Sequence, residues 1–329
     1  MQRRTLGPFD VSAIGFGCMS LSHGYGPGPD EDSAIRLLHQ ALDAGHTLLD
    51  TAALYGFGQN ESLLGQAVMH RRDEFVLTSK CGIFRNEAGT REINGRPEVL
   101  RKTCEDSLRR LNTDTIDLYY LHRWDKQVPI EESVGALGDL VRAGKVRALG
   151  LSEVSAKTLQ RAHAEHPISA VQSEYSLWTR EPEIAVLQAC KDIGAAFVAF
   201  SPLARGFLPG QLNNPRQLAE SDLRRSMPRF SEQHYPANLA LLREYHRIAR
   251  QAECSMAQLA LAWLLAKADH IIPIPGTSNA DHMIENSQSA EVELSQETME
   301  RLGELINQHT VKGARYNDAT LQEVDTETF

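Results

Sequence analysis

Four titratable side chains of different kinds stand at or just beyond the ends of apolar runs. Asp50 ends the run in Thr47–Thr51, and Tyr55 follows it in a Gly-rich turn. Lys80 ends FVLTSK, and His122 ends IDLYYLH. Each has an ordinary reading: a turn cap, packing, a solvated strand end, a satisfied core histidine. Gathered in one cleft they make an acid–base set. A phenol has a reference pKa of about 10, and bringing it to about 8 takes roughly 2.7 kcal/mol of preference for the phenolate. An ammonium about 4 Å away, at an effective dielectric near 20, can supply about 4 kcal/mol. Lys80 is therefore expected to acidify Tyr55, while Asp50 keeps Lys80 charged and aimed. His122 is expected to donate to an oxygen of the substrate. An acid poised to protonate a developing alkoxide suits carbonyl reduction, and the hydride must then come from a cofactor.

The elements that position this set follow from hydrophobic patterning. Short apolar runs recur at Ala13–Met19, Thr47–Thr51, Phe75–Lys80, Ile116–His122, Val146–Ser152, Ala170–Ser173, Ala196–Ser201 and Ile271–Pro275. Helical patterns separate them, at Asp32–Ala44, Glu61–His70, Glu98–Leu111, Ile130–Ala143, Ala156–Glu165 and Pro182–Asp192. Strand and helix alternating every ~25 to 35 residues predict an α/β fold, a (β/α)8 TIM barrel, with a doubly wound sheet as the competitor. All strands of a barrel point the same way, so their carboxyl ends share one mouth. Arg3–Leu6 and Val11 read as a small N-terminal β-hairpin plugging the opposite mouth. The rhythm breaks after strand 7, where a polar, Pro-rich loop, Leu208–Tyr235, precedes helical stretches Ala237–Gln251 and Ser255–Ala266. A C-terminal helix, Gln296–Asn307, and a tail, Val311–Phe329, close a chain read as one domain, 1–329.

Composition narrows the partners. With 34 Lys plus Arg against 43 Asp plus Glu, the net charge is −9, which argues against nucleic acid or an anionic membrane as the main partner. The N-terminus lacks an apolar core for a signal peptide, and no run approaches ~18 apolar residues. Cys18, Cys81, Cys104, Cys190 and Cys254 are dispersed and odd in number, so a cytoplasmic location is expected. His163 and His166 lack a third ligand for a metal. Trp124 and Trp178 are expected to line the pocket, and Trp263 to sit in the core. Further pocket walls are expected from Ser22–Pro29, Ile83–Gly95, Trp124–Val128 and the tail near Tyr316. Arg224, Arg225 and Arg229 are candidates to touch phosphates.

LDTAALYG, LTSK and DLYYLH, with the segment Phe9–Met19, resemble the corresponding motifs of the aldo-keto reductase superfamily. The resemblance spans nearly the whole chain. It implies Asp50, Tyr55, Lys80 and His122 as a catalytic tetrad with Tyr55 as proton donor, and a nicotinamide nucleotide lying across the barrel mouth. On family grounds the cofactor is NADPH, with NADH possible, and the substrate a small-molecule aldehyde or ketone. Gly15-Phe16-Gly17 is no dinucleotide fingerprint, because Ser20 stands where a third glycine is needed; it reads as a strand passing close to backbone.

The same resemblance implies that Ser152 and Gln172 hold the nicotinamide carboxamide and Phe200 stacks on the ring. Glu153 stands where many members have Asn; it can accept from the amide but cannot donate. SPLARGFL is similar to the loop over the pyrophosphate, giving Ser201, Pro202, Leu203 and Arg205. After strand 8, Gly276, Thr277, Ser278 and His282 fall in the phosphate region, with helix-start N–H groups as anion donors. Glu285 and Asn286 are similar to adenine contacts. The basic residue that often grips the 2′-phosphate is replaced by Gly276 and His282. The alternative activity is a nucleotide-sensing regulatory subunit resembling potassium-channel β-subunits; an unrelated barrel lyase or isomerase is a third.

Overall fold

The computed structural model describes residues 1–22, 24–86 and 89–329. Strands β1 (Arg3–Leu6) and β2 (Phe9–Ser12) pair antiparallel as a hairpin. Then come β3 (Phe16–Gly17), β4 (Leu48–Asp50), β5 (Val76–Cys81), a second hairpin of β6 (Ile83–Arg85) and β7 (Arg91–Ile93), and β8 (Ile116–Leu121). Strands β9 (Val146–Ser152), β10 (Ile168–Glu174), β11 (Ala196–Phe200) and β12 (Ile271–Pro273) complete the set. Apart from the two hairpins, the strands form one eight-stranded parallel sheet in the order β3-β4-β5-β8-β9-β10-β11-β12. Backbone bonds from Gly15 N to Pro273 O (3.0 Å) and Gly17 N to Pro275 O (3.2 Å) join its two ends. The sheet is thus a closed (β/α)8 barrel, as the alternation predicts.

Sequence chemistry explains each layer. All six residues of β8, IDLYYL, are buried, the pattern of a strand covered on both faces. Helices α1 (Glu31–Asp43), α2 (Gln59–Ala67), α3 (Pro97–Leu111), α4 (Ile130–Arg142), α5 (Ala156–Glu165) and α6 (Val186–Asp192) cover the outside. Asp30 caps α1 by accepting from Ser33 N at 2.9 Å. After the strand-7 loop come α7 (Tyr235–Gln251) and α8 (Met256–Lys267), which Ser255 and Gln258 open with a capping box. Helices α9 (Ala280–Gln288), α10 (Gln296–Leu305) and α11 (Asp318–Gln322) follow. Trp263 on α8 is 1% exposed, a core residue as expected.

The barrel interior is a separate apolar cluster in which Leu6, Phe9 and Val11 of the hairpin pack with Leu48, Leu118, Val198 and Ile272. The hairpin is the expected plug. Gly17 sits at the seam of the barrel, where an added Cβ would lie 2.8 Å from Ile274 O. The glycine therefore serves close backbone approach, as read from the sequence.

Some boundaries differ. The first strand shrinks from Ala13–Met19 to Phe16–Gly17, because Cys18 N already bonds Asp50 O and the chain then turns at Met19–Leu21. Helix Pro182–Asp192 begins only at Val186, since Pro182 makes a short 3-10 turn and Ala185, at φ −152 and ψ −42, lies outside the helical region. Segment Ile83–Gly95, expected as pocket wall, holds the β6–β7 hairpin; Glu87 and Ala88 in it lie outside the described residues. The tail carries α11 and bridges back to β9's end through Val154 and Asp325.

Candidate active site

Asp50, Lys80 and His122 arrive from the ends of β4, β5 and β8, and Tyr55 from the turn after β4. The structure brings all of them together at one mouth. Lys80 Nζ donates to Asp50 Oδ2 at 2.6 Å, to Thr51 O at 2.8 Å and to Tyr55 OH at 3.3 Å. Lys80 is 1% exposed and Asp50 2%. The other carboxylate oxygen, Asp50 Oδ1, accepts from Thr78 Oγ1 (2.7 Å) and Gln172 Nε2 (2.8 Å). The rings of Tyr55 and His122 meet edge to face with centroids 6.1 Å apart.

The electrostatics correct one expectation. Burial pushes the Tyr55 phenol above its ordinary value; Lys80 pulls it down, Asp50 pushes it up, and the net direction is upward. Desolvation of a phenolate in this cleft therefore outweighs one neighbouring ammonium, whose pull Asp50 opposes. Burial works against the Lys80 ammonium too, but Asp50 and the phenol more than offset it and hold its pKa above the ordinary value. Lys80 thus stays charged, and what it does for Tyr55 is limit an upward shift.

A cleft of about 420 Å³ opens over this cluster. Asp50, Tyr55, His122, Ser152, Gln172 and Phe200 line its inner end. Ser201, Pro202, Leu203 and Arg205 form one wall, and Gly276, Thr277, Ser278, His282, Glu285 and Asn286 another. Every expected cofactor residue therefore borders one space. Ser20 Oγ and Asn286 Oδ1, both on that space, are buried without a hydrogen-bond partner, which suits a polar ligand with donors. Arg205 is held by Glu174 at 2.5 Å and by Tyr316 OH at 2.9 Å.

Other expectations change. Glu153 faces away from the cleft: Arg315 pairs with it at 2.7 Å and Glu174 N donates to it at 2.9 Å, so it is unavailable to a carboxamide. Ser152 Oγ accepts from Arg123 Nη1 at 3.2 Å. Among the expected N-caps Thr277, Ser278 and Asn279, the cap of α9 is Asn279, whose side chain takes the N–H groups of Asp281 and His282. The helix-start anion site is correspondingly smaller than expected. Trp178 stacks on Phe207 at 4.1 Å under the strand-7 loop, and Trp124 donates to Val128 O; neither borders the cleft. Of the three candidates Arg224, Arg225 and Arg229, Arg224 borders it, whereas Arg225 bonds Leu218 O and Arg229 is buried on Trp178 O and Thr179. His163 accepts from Ile168 N. From Ser22–Pro29, Tyr25, Gly26 and Pro27 line the cleft as expected, as does Tyr316; His23 lies outside the described residues.

Arg123 and Thr78 were not expected. Arg123 lines the cleft directly after His122, an adjacency that could have signalled it. Thr78 touches Asp50 from two positions before Lys80, where strand alternation puts both side chains on one face.

A closed eight-stranded barrel with titratable groups converging at its carboxyl end defines a barrel of enzyme type. The model of the aldo/keto reductase family matches residues 13–307, so the chain belongs to that family of oxidoreductases. It is 43% identical over 319 residues to the NADP(+) aldo-keto reductase yakc of Schizosaccharomyces pombe, covering 95% of this chain and 94% of that one. A probable aldo-keto reductase 1 of Glycine max is 40% identical over 309 residues, 94% and 89% of the two chains. Among solved structures, the glycerol dehydrogenase of Gluconobacter oxydans superposes with a TM-score of 0.85 at 28% identity, covering 95% of this chain and 96% of that one. An aldo-keto reductase of Klebsiella pneumoniae in complex with NADP and acetate gives 0.72 at 26% identity, with 96% and 99% covered.

Proposed function

We propose that the protein reduces an aldehyde or ketone to the alcohol with NADPH, and that Tyr55 is the proton donor. The observation that carries the reading is the 3.3 Å contact between Lys80 Nζ and Tyr55 OH inside a buried cleft. A family member bearing NADP(+) in its name and a solved relative in complex with NADP support the choice of nucleotide. Bound NADPH supplies a hydride to the carbonyl carbon. Ser152 and Gln172 would face its carboxamide, Phe200 its ring, Arg205 and the residues around Ser278 its phosphates, and Asn286 Oδ1 an amino donor of the adenine.

Tyr55 OH gives its proton to the carbonyl oxygen, and Lys80 stabilises the phenolate left behind. Asp50, fixed by Thr78 and Gln172, keeps Lys80 charged and aimed. His122 fixes the carbonyl oxygen beside the phenol. Steady-state NADPH oxidation over a panel of aldehydes and ketones tests this. Turnover that disappears in Tyr55→Phe, with NADPH binding retained, is the expected result; unchanged turnover would sink the assignment.

A further inference from the structure

Three arginines border the cleft. Two already face carboxylates: Arg205 meets Glu174 at 2.5 Å, and Arg224 meets Asp222 at 2.7 Å. Arg123 differs. Its Nη1 donates to His122 O at 2.7 Å and to Ser152 Oγ at 3.2 Å, and it forms no ion pair with a carboxylate among the described residues. Its Nε is buried with no hydrogen-bond partner. The guanidinium is thus held between the ends of β8 and β9, beside Tyr55 and His122, by neutral acceptors only.

A half-buried cation without a counter-charge is costly unless a ligand supplies one. Lys80 cannot share Asp50 with it, because that carboxylate is filled by Lys80, Thr78 and Gln172. A bound nicotinamide brings a neutral carboxamide to Ser152 and leaves the charge unbalanced. The phenol of Tyr55 feels this charge, which pulls its pKa down against burial.

We infer that Arg123 is a specificity-determining residue that selects carbonyl substrates carrying a carboxylate near the reacting carbon. The fork of a guanidinium matches a carboxylate's two oxygens, and binding it aligns the carbonyl with Tyr55 and His122. The inference rests on the carbonyl-reducing reading above. It concerns which carbonyl compounds are preferred.

The test compares 4-oxobutanoate with its methyl ester, which has the same aldehyde and no charge. For the wild-type protein with NADPH, kcat/KM is expected to be at least about tenfold higher for the acid, the size of one charge-assisted hydrogen bond. Raising the salt concentration should shrink that ratio, chiefly through KM of the acid. In Arg123→Met the acid-to-ester ratio should fall toward one, and Arg123→Lys should restore part of it. Reading the ratio cancels any general effect passed through Ser152 or the phenol. Ester and acid turned over equally by wild type, at every salt concentration, would overturn the inference while leaving carbonyl reduction standing. Turnover of neither compound, nor of any other carbonyl tried, would remove both.

Discussion

Lys80 Nζ lies 2.6 Å from Asp50 Oδ2 and 3.3 Å from Tyr55 OH, so one buried ammonium bridges a carboxylate and a phenol. The carboxylate is the nearer partner, and burial raises the phenol. The proposed proton donation, which needs the protonated phenol, is therefore compatible with the neutral range. The reverse reaction needs the phenolate and should gain with rising pH.

Tyr55→Phe removes the proposed donor and little packing. Carbonyl reduction should fall by about 10²–10⁴-fold, the range for a lost general acid. NADPH binding, followed by the cofactor's fluorescence, should stay within a few-fold of wild type. Lost binding together with lost turnover would point to a structural role for the phenol.

Lys80→Met leaves the phenol without the charge that holds it down. Its pKa should climb further, and the alkaline rise of alcohol oxidation should move to higher pH, read from a kcat profile. The same change strands Asp50, at a cost of about 3–5 kcal/mol in stability. Adding Asp50→Asn should restore most of that stability and none of the rate. A double variant recovering both would contradict the proposed coupling.

Arg315 and Glu153 form a buried pair at 2.7 Å that ties the tail to the end of β9. Arg315→Met should cost about 3–5 kcal/mol in denaturant unfolding, and Glu153→Gln added to it should recover much of the loss. Tyr316, the neighbour that lines the cleft, should then move, so KM for the carbonyl substrate should rise more than kcat falls.

His46 is 1% exposed, bonded to Ile14 O and Ser287 Oγ, and burial lowers its pKa to about 4. Unfolded chains carry the ordinary value of about 6.5, so between these values the unfolded state binds more protons. Stability contributed by neutral His46 is full above about 6.5 and is lost as pH falls toward 4, by about 3 kcal/mol. Chemical unfolding across that window should show the slope, and His46→Gln should flatten it. An unchanged slope would mean that other groups carry it.

The alternation of apolar runs and amphipathic stretches reports the barrel, because each strand must be buried on both faces and each helix on one. Strand ends place Asp50, Lys80 and His122 at one mouth for the same reason: parallel strands share a direction. Residue order thus determined the (β/α)8 architecture, the hairpin plug and the meeting of the tetrad. Pairing across space was decided only by the folded chain. Glu153 reads as a site residue until Arg315, far along the sequence, claims it; Asn279 keeps N–H groups that an anion would need; and Arg123 gains meaning because, among the described residues, no carboxylate comes to meet it. The sign of the Tyr55 shift belongs here too, since desolvation depends on everything packed around a group and appears in no local pattern of residues.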